Sequence, residues 1–216
     1  MVLINKMNLI FFRYKTRYDM CNVWMRIEEH FSNVDLKNKI ITQKDIIHWW
    51  EKFSKGHINY MHYWDGFNFP SKDVDSFLKT YKKEKLLIQE QKALKILNKI
   101  YSTSSYYVIA GVNNETFIHE LHHALFYLDK KYRSEITKII KKYNVKEIEA
   151  KLASEMAYPE DTMIDEVSAY LIGSEGDLIK ECGINTKKYK NVMLELLQLY
   201  TKNIIKLVDI KIIDSL

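Results

Sequence analysis

Three of the chain's seven histidines fall within five positions of one segment, "FIHELHHALFYL" (117–128). Among them His119, Glu120 and His123 form H-E-x-x-H. On a helix, side chains four residues apart stand one turn above each other on the same face, so both imidazoles can reach one ion. At roughly 100° per residue, Glu120 points about 80° from the midline of that pair. Its carboxylate therefore flanks an open coordination position without filling it, where a base acting on a metal-activated water belongs. Phe117, Leu121, Ala124, Leu125 and Leu128 fall on the opposite side, so one face anchors the helix and the other presents the histidines.

His122 lies about 80° from the midline on the side away from Glu120, too far round to join the same tetrahedron. It reads either as a hydrogen-bond donor toward a substrate or as a helix-flank histidine with no role. A catalytic zinc takes three protein donors and keeps a fourth position open. The other histidines (His30, His48, His57, His62) all precede the motif, whereas "PEDTMIDEVSAYLIG" (159–173) follows it with Glu160, Asp161, Asp165 and Glu166. Thr162 and Asp165 stand at capping-box spacing, which would occupy Asp165 at a helix start. Glu166 is the expected third donor and Asp165 the alternative. Ala169 is small enough to let this helix come close to the histidine helix. Tyr170, one turn beyond Glu166 and on its face, could donate to a developing oxyanion or simply pack in the core.

The elements that must position these residues are mostly helical. Two prolines and six glycines in 216 residues leave little punctuation. Helices are expected at 20–31, 42–53 (with Thr42 and Asp45 as a capping box), from 71, at 84–100, and at 131–142, 145–156, 162–172 and 188–207. Strands are expected at 8–15 and, most clearly, in "SYYVIA" (105–110), which runs directly into the histidine helix. The aromatic segment 56–70 reads as a loop whose Tyr60, Tyr63, Trp64 and Phe67 either line a cleft or pack on the core.

Composition excludes several classes. A net charge of +5 from 33 basic and 28 acidic residues is spread along the chain. The basic pieces at 13–17, 130–133 and 141–143 are short and separate, so no nucleic-acid footprint emerges. Cys21 and Cys182 are isolated, which fits neither a disulfide framework nor a zinc knuckle and points to a reducing cytosol. The apolar start, "MVLINKMNLIFF", is broken by Asn5, Lys6 and Asn8 and has no small-residue cleavage site, so it reads as a core strand. No apolar run approaches the roughly 20 residues that span a bilayer. A cytoplasmic protein without membrane or nucleic-acid partners is expected. A carboxylate-bridged di-iron centre built on Glu120 and His123 fails for want of a second E-x-x-H.

With H-E-x-x-H after a strand and a later glutamate in "DEVSAYL", residues 104–173 resemble the zincin metallopeptidases of the glutamate-ligand (gluzincin) type. The resemblance implies zinc held by His119, His123 and Glu166, with Glu120 as general base. It also implies a peptide or protein substrate paired along "SYYVIA" as an edge strand. Two departures stand out: 43 residues separate His123 from Glu166, and the aspartate that several of these families carry four residues after the ligand glutamate is Tyr170 here. The expectation is an α+β, predominantly helical, zincin-like domain over 1–216. Its N-terminal subdomain, 1–103, carries the 56–70 loop as a substrate wall, and 104–216 form the metal-binding half. A zinc peptidase is the leading reading; a metal site serving binding or regulation without catalysis is the other.

Overall fold

A computed structural model describes residues 8–33, 35–54, 56, 59–81, 85–100, 105–156, 158–204 and 210–214. Residues 1–7 of the apolar start, His57 with residue 58, residues 82–84 at the start of the helix expected over 84–100, and the last residues of the helix expected to end at 207 lie outside that set.

Two compact units divide the chain, one of residues 1–114 and 209–216, the other of 115–208. The division falls at the start of the histidine helix, and the C-terminal strand belongs to the first unit. The architecture is α+β and mostly helical, with one mixed four-stranded sheet.

In the first unit the strands are β1 (Asn8–Arg13), β2 (Gly66–Pro70), β3 (Tyr106–Gly111) and β4 (Ile210–Asp214). They lie in the order β2-β3-β1-β4; β1 runs parallel to β3 and β4, and β2 runs antiparallel to β3. Leu9 through Phe12 are all buried, as are Tyr107 through Ala110. Strands covered on both faces lose the apolar–polar alternation and occupy the middle of a sheet. The expectation of an edge strand at 105–110 is thereby corrected: β3 pairs with β2 on one side and β1 on the other. The segment expected as a loop is also corrected. It holds a short helix, α3 (Tyr60–Tyr63), and the edge strand β2, whose alternating burial and terminal Pro70 suit an edge position.

Around this sheet stand α1 (Arg17–Phe31), α2 (Gln43–Phe53), α4 (Ser71–Tyr81) and α5 (Ile88–Ile100). Thr16 caps α1 by accepting from the Asp19 amide, and Thr42 with Asp45 forms the expected capping box of α2. Trp24, Phe12 and Phe69 pack together in the core, with the Trp24 indole donating to the Tyr14 hydroxyl at 2.9 Å. Tyr60 and Phe67 are buried in that same core, and Tyr63 and Trp64 pack against it.

The second unit is built of α6 (Asn114–Leu128), α7 (Lys130–Lys142), α8 (Lys146–Met156), α9 (Met163–Gly173), α10 (Glu175–Lys180) and α11 (Lys190–Ile204). Asp129 caps α7, accepting from the amides of Lys131 and Tyr132. Among the described residues no helix is long and apolar enough to cross a membrane. Cys21 and Cys182 are free and buried.

Candidate metal centre

All six residues singled out for chemistry, and Asp165 beside them, belong to α6 and α9 of the second unit. These two helices touch backbone to side at Gly173. A Cβ built there would lie 2.6 Å from the His119 amide nitrogen and 2.9 Å from its Cα. Ala169 is fully buried, but Gly173, seven residues after Glu166 and so on the same face, is where α9 admits the α6 backbone. Gly173→Ala should force the helices apart and cost about 1–3 kcal/mol, the usual range for overpacking a tight site. Thermal unfolding of the variant checks this; an unchanged midpoint would mean the helices absorb the methyl group freely.

That close approach brings three donors together. The His119 and His123 Nε2 atoms lie 3.0 Å apart, and Glu166 Oε2 stands 4.0 Å from the first and 3.6 Å from the second. These three residues form a group able to hold a metal ion, with donor atoms within 4.8 Å of one another. The residues fit zinc by type and by need. Two imidazoles and a carboxylate are donors that zinc accepts, and Glu166 Oε2 is buried with no hydrogen-bond partner. A buried carboxylate oxygen left so is costly unless a cation or proton meets it.

Glu120 is buried on the same helix, and its charge acts on His123, Glu166 and Tyr158. It does not belong to the three-donor group. Asp165 is not turned back to the start of α9, where Thr162 makes no side-chain cap; the capping expectation is corrected. Its Oδ1 lies 3.0 Å from His123 Nδ1, on the far side of that ring from Nε2. The oxygen sits off the line of the ring N–H, so this is a charge contact more than an aligned hydrogen bond. Asp165 thus stands behind His123, on the side of the ring away from Nε2.

His122 has no exposed surface. Its Nδ1 is 2.8 Å from the Tyr132 hydroxyl and its Nε2 is 2.9 Å from Ser168 Oγ. With both nitrogens occupied inside the core, it does not face a substrate in this conformation. Tyr170 lays its ring edge-on to His119, with centroids 4.7 Å apart. Its hydroxyl donates to Met156 Sδ at 3.1 Å and lies 3.3 Å from that of Tyr158. To reach an oxyanion it would have to leave Met156. Sequence reasoning passed over Tyr158, whose hydroxyl hydrogen-bonds the Glu166 carboxylate. It precedes α9 in a stretch with no periodic signal.

Electrostatics follow from the burial of so many charges. Burial and the neighbouring His123 and His122 hold His119 well below the usual histidine range. Burial also opposes a charge on His123, but Asp165, Glu166 and Glu120 outweigh it and raise this histidine to about 10. Asp165, despite burial, is held well below the usual carboxylate range by His123 and His122. Glu166 goes the other way: burial, then Asp165 and Glu120, push it up to about 8 against the pull of His123.

Comparison of the chain with protein-family models, with curated proteins and with solved structures returns no match. The functional reading therefore stands on the donor geometry and the sequence motif.

Proposed function

We propose that this chain is a zinc-dependent hydrolase acting on peptide bonds, with His119, His123 and Glu166 as ligands and Glu120 as general base. The observation that carries the reading is the convergence of His119 Nε2, His123 Nε2 and Glu166 Oε2 from two helices, with Glu120 beside them yet outside the donor group. A bound zinc ion supplies Lewis acidity and makes water nucleophilic near neutral pH. Glu120 takes the proton of the attacking water and passes it to the leaving amine. Tyr158 steadies Glu166, and Asp165 steadies His123, so that the donors hold their positions. The peptide assignment rests on the gluzincin-like donor set alone, because β3 is not free to pair with an extended substrate.

Burial favours a second reading. His119, Glu120 and His123 are all less than 8 % exposed, as suits a metal site kept for stability or partner recognition. The two readings part on the need for a base, since a purely structural site has no use for Glu120.

The first test is metal content and cleavage together. The purified protein should carry about one equivalent of zinc. His123→Ala should lose it, and cleavage of unstructured peptides should stop with a chelator and return with zinc. Stoichiometric zinc retained by His123→Ala would remove the triad. Chelator-insensitive cleavage would remove the mechanism.

A further inference from the structure

The third histidine of the cluster is held by three helices at once. From α6, His122 reaches Tyr132 of α7 at 2.8 Å and Ser168 of α9 at 2.9 Å. Its Nε2 also lies 3.4 Å from Asp165 Oδ1, the oxygen that stands 3.0 Å from His123 Nδ1. Ser168 fixes the proton pattern. Its hydroxyl lies 2.7 Å from the Ile164 carbonyl and 2.9 Å from that of Asp165, and directs its one proton into that pair. A hydroxyl has one proton, so toward His122 its oxygen accepts, and His122 Nε2 carries the hydrogen. Nδ1 then accepts from the Tyr132 hydroxyl. Both ring nitrogens are satisfied in one tautomer, whose N–H bonds Ser168 and lies in charge contact with Asp165 Oδ1 at 3.4 Å.

We infer that His122 is a positioning residue for the metal centre, acting through Asp165 on His123. The inference rests on the proposed zinc site. The positive end of the His122 N–H lies in charge contact with Asp165 Oδ1 at 3.4 Å and favours the carboxylate's place beside His123 Nδ1. A carboxylate there favours a hydrogen on Nδ1, which leaves the Nε2 lone pair directed at His119 Nε2 and Glu166 Oε2, where the ion binds. Tyr132 and Ser168 set the angle of the His122 ring from either end. In this chain the double histidine His122–His123 therefore works as a ligand and its own support, one residue apart on adjacent faces of α6.

The test measures zinc affinity, by competition with a chromophoric chelator, alongside the melting point of the metal-free protein and the visible spectrum of the cobalt-substituted form. His122→Phe keeps the ring volume and removes both nitrogens. It should weaken zinc binding by about 10–100-fold, the usual effect of losing a ligand's outer partner, and alter the cobalt spectrum. His122→Gln, which can return an N–H near the Nε2 position, should recover part of that loss. A role in packing alone predicts a lower melting point with unchanged affinity and spectrum in the folded fraction, and that outcome overturns the inference. If His122→Phe does not fold, Ser168→Ala and Tyr132→Phe each remove one anchor, and either should lower affinity several-fold. Parent-like affinity in both of those variants overturns the inference equally. Failure of the zinc site itself shows separately, as a parent protein that binds no zinc.

Discussion

Glu120→Gln should keep its zinc and its fold and lose hydrolysis by about 10²–10⁴-fold, the usual contribution of a general base. Glutamine preserves the shape of the side chain, and Glu120 stands outside the group of donors, so the three donors stay in place to hold the ion. What disappears is the acceptor for the water's proton. The variant also lacks a negative charge that now acts on His123 and Glu166, so a modest change in zinc affinity is expected beside the large change in rate. Parallel measurement of metal content and of chelator-sensitive peptide cleavage checks both. A Glu120→Gln protein as active as the parent would sink the catalytic reading and leave the structural metal site in its place.

The convergence of His119, His123 and Glu166 was legible because helical spacing is rigid. His119 and His123 had to share a face once 117–128 was helical, and Glu166 followed from the need for a third donor on a later helix. The fold class was legible from the scarcity of proline and glycine. The sheet was not, and the reason is physical. The β propensity of "SYYVIA" announces a strand, whereas its place in the sheet shows in the absence of alternation: residues buried on both faces need no polar partner set. Conversely "GFNFP" alternates and ends in proline, an edge strand's marks, but its glycine, asparagine and proline resemble those of a loop. The contacts of Asp165 and His122 around that group were also out of reach. Asp165 could serve a helix cap or a histidine, and only the approach of α9 to α6 at Gly173 decides between them. His122 looked idle on the helix flank because its partners, Tyr132 and Ser168, come from other helices and no local spacing announces them.

Zinc should bind more tightly, and stabilise the protein more, as the pH rises. In the metal-free protein Glu166 is pushed up to about 8 and His123 to about 10, so near neutral pH both donors hold protons that the ion must displace. One displaced proton gives about a tenfold gain in affinity per pH unit and two give about a hundredfold, until the donors ionise by themselves. The metal-free protein should respond in the opposite sense. A group whose folded pKa is raised gives stability that is complete below its unfolded value and lost as pH climbs through the folded one. For Glu166 that loss runs from 4.5 to about 8, and for His123 from 6.5 to about 10. Asp165, held below its ordinary 3.8, contributes stability above that value and loses it in acid. His119 and His122, both held below 6.5, act in the opposite sense and lose stability as pH falls below that value, so without metal the site should favour folding most a little below neutral pH and progressively less toward alkaline pH. Melting curves with and without zinc should diverge across that range, while titration in buffers of different ionisation enthalpy counts the protons released. A zinc-induced shift that is flat with pH, with no proton release, would mean that the ion does not bind at His123 and Glu166.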